Sequence, residues 1–139
     1  MTFRKLGPVY VIRLERGERI LESLTAFCER EGVRAAYFDG LGTCRRAELG
    51  YFHIAAGTYD FQLFPEDCEI TSLYGNVSVL EGKLQIHAHM VIGDSGFHSW
   101  SGHLKEAEIL ATCEIVLRPL EGELRRKKAG DLGLTPLDI

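Results

Sequence analysis

Histidine is the side chain best suited to exchange a proton or hold a metal near neutral pH. Two of the chain's five histidines stand one residue apart in Lys83-Leu84-Gln85-Ile86-His87-Ala88-His89-Met90-Val91-Ile92. In an extended strand, residues i and i+2 leave the same face about 6–7 Å apart, so His87 and His89 project in one direction. Taken alone, the pair also suits a solvated strand face. A third histidine, His103, follows Gly93-Asp94-Ser95-Gly96, whose residue types favour a tight turn. A hairpin at that turn returns the chain and carries Gly102-His103-Leu104 beside the pair. Three neutral imidazoles at about 2.0–2.1 Å from one ion form a common zinc ligand set, with a fourth position left for water or substrate. An ion held this way lowers the pKa of bound water to about 7 or polarises a carbonyl.

Other candidates are weaker. His53 and His98 have no partner at metal-ligand spacing and read as surface residues. Glu69, Glu106, Glu108 and Glu114 lie in or near strand segments and are candidates for a fourth ligand or a general base. In an unbroken strand Glu106 and Glu108 have the opposite parity to His103 and face away from it. The Gly-Asp-Ser-Gly run is similar to the nucleophile segment of serine proteases, but its place between two strand candidates makes it a turn, and Ser95 is not assigned as a nucleophile. Cys28, Cys44, Cys68 and Cys113 are far apart and form no C-x-x-C pair, which reads as buried reduced thiols.

The elements that position these residues follow from hydrophobic period. Val9 to Leu14 is a strand candidate. Ile20, Leu21, Leu24, Phe27 and Cys28 then form one stripe of an amphipathic helix over about 19–31, which Gly32 stops. Strand candidates follow at Val33 to Gly42, Arg46 to His53, Thr58 to Phe64, Cys68 to Leu80, Leu84 to Ile92 and Leu104 to Leu117. In the fifth of these, Leu84, Ile86, Ala88, Met90 and Ile92 share the apolar face, which leaves both histidines on the more polar one. One helix among many strands predicts an α+β fold, a single compact domain with a largely antiparallel sheet. A single helix leaves much of such a sheet uncovered, which predicts an oligomer. Residues from Pro119 onward have the Gly, Pro and charge content of a tail, and Arg125-Arg126-Lys127-Lys128 within it reads as a solvated basic run.

Composition bounds the function. With 139 residues, 45% hydrophobic and 26% charged, the chain is an ordinary globular domain. Its apolar runs are too short to span a bilayer, and its N-terminus lacks the pattern of a secretory signal, so no membrane association and a cytoplasmic location are expected. The formal charge of −4 opposes broad affinity for DNA, which draws on Lys and Arg neutralising phosphates.

Several stretches together resemble one family. Gly40-Leu41-Gly42, Ala47-Glu48-Leu49-Gly50-Tyr51-Phe52, Glu69-Ile70-Thr71-Ser72-Leu73-Tyr74-Gly75-Asn76, His87-Ala88-His89 and Gly102-His103-Leu104 leading into Thr112-Cys113-Glu114 resemble the PPC (plants and prokaryotes conserved) domain. The resemblance runs over 8–120 and leaves 121–139 as a C-terminal tail. It implies a homotrimer of α+β subunits and a metal, zinc by implication, on His87, His89 and His103. It also implies Asn76 as a polar group near the pocket. The open fourth position of a three-histidine site is expected to take a small anionic or carbonyl-bearing ligand. The fold is further similar to acetolactate decarboxylase, whose zinc is held by histidines that include an H-x-H pair; by analogy of fold this assigns no reaction. Plant members carry an AT-hook, R-G-R-P, which this sequence lacks: its only Arg-Gly, Arg16-Gly17, continues into Glu18. Standalone prokaryotic members are often described as DNA-binding. DNA binding through the trimer, and a role as an oligomerisation and docking module, are therefore the alternatives to a metal site.

Overall fold

The structure is a computed structural model that describes residues 1–130 and 133–139. Along the chain run β1 (Thr2–Leu6), β2 (Val9–Glu15), α1 (Ile20–Glu31), β3 (Ala36–His53), β4 (Thr58–Phe64), β5 (Cys68–Leu80), β6 (Lys83–Gly93) and β7 (Ser99–Pro119). The strands pair antiparallel in the order β1-β2-β7-β6-β5-β3-β4, and a further pairing of β7 with β3 closes β7, β6, β5 and β3 into a barrel. The length of β7 makes closure possible. Residues 99–103 pair with β6 and residues 112–117 with β2, while β3 lies along the opposite edge from His103 to Pro119.

Alternation along each strand sends one set of side chains inward. Ile12, Leu14, Leu73, Met90, Ile92, Leu104, Ile109 and Ile115 are fully buried. The helix packs on β6 and β7 and buries Ile20, Leu24, Phe27 and Cys28, each large apolar side chain stabilising the fold by about 1.5–3 kcal/mol. Its N-terminus has no side-chain cap from Arg19. Instead the Glu106 carboxylate on β7 accepts from the backbone N–H groups of Leu21 (3.0 Å) and Glu22 (3.2 Å), satisfying two donors that every helix start leaves free. Gly32, at φ 68°, ends the helix in the left-handed conformation.

Three features differ from the sequence reading. Strand β1 was not expected: all five of its residues are exposed and it pairs with β2 alone, so no apolar face marks it. The two candidates Val33 to Gly42 and Arg46 to His53 are one strand, β3, whose register against β7 shifts at bulges and whose Arg46 has φ 52°. The polar, irregular stretch between them interrupts the alternation without breaking the strand. Finally, the segment after Pro119 adds no buried side chain among the described residues but is pinned to the sheet: Val79 on β5 bridges Arg125, and within the segment Arg126 bridges Leu137.

Candidate metal centre

Along β6, Ala88, Met90 and Ile92 are buried, whereas His87 is half-buried and His89 exposed on the opposite face. The β6–β7 register sets His89 directly across from His103. Two close backbone approaches fix this geometry. A Cβ on Gly102 would lie 2.7 Å from the Gly50 carbonyl oxygen, so glycine alone lets β3 reach β7 beside His103. A Cβ on Gly75 would lie 2.3 Å from the His87 carbonyl oxygen, which holds β5 against β6 at the other histidine. The three imidazoles converge, with ring centroids 5.3 Å (His87–His89), 5.0 Å (His87–His103) and 5.5 Å (His89–His103) apart. One nitrogen from each lies within 4.8 Å of the others. Nitrogens around a tetrahedral ion at about 2.0–2.1 Å stand roughly 3.3 Å apart, so modest ring rotations suffice to close the set.

The surroundings are aromatic on one side and polar on the other. Tyr74 stacks on His89 with centroids 6.4 Å apart, and Tyr59 of β4 lies against His103 at 5.0 Å. From the C-terminal segment, Arg126 reaches in. Its Nε donates to Ser78 Oγ (2.7 Å), Nη1 to the Thr135 carbonyl (2.6 Å), and Nη2 to Asn76 Oδ1 (2.8 Å) and His87 Nδ1 (3.2 Å). A cavity of about 300 Å³ lies between the histidines and Leu134, Thr135 and Pro136, with Gln85 and Arg126 on its wall. A second, of about 450 Å³, opens on the side of His89, Tyr51 and Tyr74. Two buried polar atoms here have no partner, Gln85 Oε1 and His103 Nδ1. An orphaned imidazole nitrogen in a cluster of three imidazoles is what a metal site without its ion presents.

Burial sets the charge state. Desolvation first, then His103, Arg126 and His89, push the His87 pKa down to about 4. Desolvation, His89 and Arg126 lower His103 in the same way. Both rings are therefore neutral at pH 7, the form that donates a lone pair to a metal, which His87 does once its Nδ1 gives up the Arg126 contact.

The remaining sequence candidates lie apart from the three histidines. Glu106 caps α1, Glu108 pairs with Arg45, and Glu69 and Glu114 are exposed; among the described residues no carboxylate joins the histidines. Asn76 sits across from His87 and engages Arg126. His53 pairs with Asp60 and His98 with Asp94, both at the surface. Asp94 also accepts from the Gly96 and His98 backbone N–H groups, which makes Gly93–Gly96 a turn and leaves Ser95 exposed within it. All four cysteines are free and buried. The solvated reading of the basic run fails at Arg126, which is half-buried in the site. Arg126 and Tyr59 lay outside the sequence candidates because only three-dimensional pairing brings them to the histidines. Gln85 was legible: it shares strand parity with His87.

A small antiparallel barrel closed by a bulged strand, packed by one helix and carrying a three-histidine cluster on its outer face defines the class of protein. The model of the Plants and Prokaryotes Conserved (PCC, also PPC) domain matches residues 1–121, and the chain belongs to that family. Its solved neighbours agree over nearly the whole length. A candidate DNA-binding protein from Bacteroides thetaiotaomicron is 28% identical at a TM-score of 0.95, covering 99% of this chain and 96% of its own. A plant- and prokaryote-conserved protein from Pyrococcus horikoshii is 33% identical at 0.89, covering 99% and 95%. A metal-containing protein from Archaeoglobus fulgidus is 31% identical at 0.89, covering 100% and 99%. In sequence, 78% of the chain is also 30% identical to part of the bifunctional protein GlmU of Synechococcus sp. (strain JA-3-3Ab), of which it spans 17%.

Proposed function

We propose that this chain is a homotrimeric, cytoplasmic metal-binding protein whose His87, His89 and His103 hold one divalent ion, zinc, and leave a position open to a small anionic or carbonyl-bearing ligand. The observation that carries the reading is the convergence of three imidazole nitrogens within 4.8 Å. The orphaned His103 Nδ1 and the lowered pKa values of His87 and His103 support it, as does the metal-containing archaeal neighbour. Imidazole nitrogen suits zinc, as it does copper, iron and nickel. When bound, the ion supplies a Lewis acid for a carbonyl or for water. His103 and His87 form the sheltered side of the site, and His89 faces the open one. Free, buried thiols fit a reducing compartment. Titrating zinc into metal-free protein against a chromophoric chelator tests the reading: one equivalent per chain is expected, lost in the His87→Ala/His89→Ala variant. Equal binding by both proteins would overturn it.

DNA binding is the second reading, favoured by the description of the Bacteroides neighbour. Against it, the basic run is largely neutralised: Arg125 pairs with Glu123, Lys127 with Asp138 and Lys128 with Glu81. A salt titration of duplex affinity decides. Affinity that falls steeply with salt supports this reading, and no affinity at low ionic strength removes it.

A further inference from the structure

Among the described residues Arg126 is a half-buried cation without an anion. Among the described residues no carboxylate lies within ion-pair distance of it, and its four hydrogen bonds go to neutral acceptors. A guanidinium has five N–H donors, so one on Nη1 is unspent. The contact to His87, at 3.2 Å the longest of the four, is the one a charged acceptor would displace. An incoming carboxylate could then take one N–H from each terminal nitrogen, the pairing for which arginine is suited. A cation taken out of water and left unpaired is costly; a bound anion removes that cost. The cavity beside Arg126 has about 300 Å³, room for roughly ten water-sized groups. Among the described residues Arg126 is the only charged one on its wall, Tyr59, Leu134 and Pro136 are its largely apolar sides, and Gln85 lines it with an Oε1 that has no donor and that rotation of the amide would present to the cavity.

We infer that this cavity binds a small monoanionic carboxylate that carries a neighbouring hydroxyl or amide N–H, the carboxylate on Arg126 and the donor on Gln85 Oε1. A single cation and apolar walls match one negative charge; a phosphate dianion would stay half-neutralised. The inference names the ligand class of the proposed metal centre and rests on that reading for the cavity's role, but the anion contact belongs to Arg126 and needs no ion.

The test uses the full chain, first metal-free and then with zinc, and follows binding of glycolate, acetate and inorganic phosphate by calorimetry and amide NMR shifts. In the metal-free protein glycolate is expected to bind tighter than acetate. Arg126→Gln should weaken both at least tenfold, whereas Gln85→Leu should leave acetate unchanged and abolish the preference for glycolate. Thermal melting checks that the variants fold; should Arg126→Gln fail to, Gln85→Leu carries the test. Wild-type affinity in Arg126→Gln, an unchanged preference in Gln85→Leu, phosphate bound in place of carboxylates, or no carboxylate binding would overturn the inference. Zinc uptake with no carboxylate binding would sink this inference and leave the metal reading intact. Carboxylate binding without zinc uptake would do the reverse.

Discussion

At the residue scale, burial keeps two imidazoles of the cluster, His87 and His103, neutral. His87 and His103 are desolvated and stand beside one another and a guanidinium, and each of these effects disfavours protonation. The sign of the stability effect follows from linkage. In metal-free protein the His87 pKa is about 4 folded against 6.5 as the ordinary value, so between those pH values the unfolded chain binds more protons. This contribution is complete above about pH 6.5 and is lost as pH falls toward 4. Urea midpoints of metal-free protein are therefore expected to drop between pH 7 and pH 5, above the range where carboxylates titrate. In His87→Gln the drop should be smaller; equal slopes for the two proteins would contradict the assignment. The parity that put His87 and His89 on one face was readable from the sequence, because a strand's side-chain period is fixed at two. Arg126 was not, because a basic run in a Gly- and Pro-rich tail has no period to follow.

At the element scale, glycines and one carboxylate hold the strands and helix in the positions the site needs. Gly102→Ala would drive a Cβ against the Gly50 carbonyl, backbone that has no room to give. A loss of about 1–3 kcal/mol is expected, together with weaker zinc binding because His103 is the next residue. Urea denaturation and chelator competition on the same variant check both. Glu106→Ala removes the acceptor for the Leu21 and Glu22 N–H groups and should cost about 1–2 kcal/mol with zinc affinity unchanged, since this carboxylate faces the helix rather than the histidines. That contrast separates structural from site residues on the same strand. The sequence made β2, the helix and β5 to β7 legible because each has a buried face with its own period, and β4, of which only Phe64 is buried, because Gly57 and Pro65 bound it. It hid β1, which has no buried face, and split β3, whose bulges disrupt the alternation; the pairing of β3 with β7 that closes the barrel is long-range and leaves no local trace.

At the scale of the whole molecule, the outer faces of the sheet carry more apolar surface than a lone subunit needs. Tyr37, Leu41, Tyr51, Leu63 and Tyr74 are each more than half exposed, consistent with the proposed trimer covering them. Light scattering after size exclusion should give three times the 15.6 kDa chain mass, and a monomer at micromolar concentration would contradict the proposal. Placement of the C-terminal segment over the histidines further ties the site to the folded state of the whole chain. The central claim, that the three histidines hold a metal, is met most directly by elemental analysis of protein purified without added metal, beside the His87→Ala/His89→Ala variant. Close to one zinc per chain is expected in the wild type and almost none in the variant; equally negligible metal in both would contradict a metal held by the three histidines.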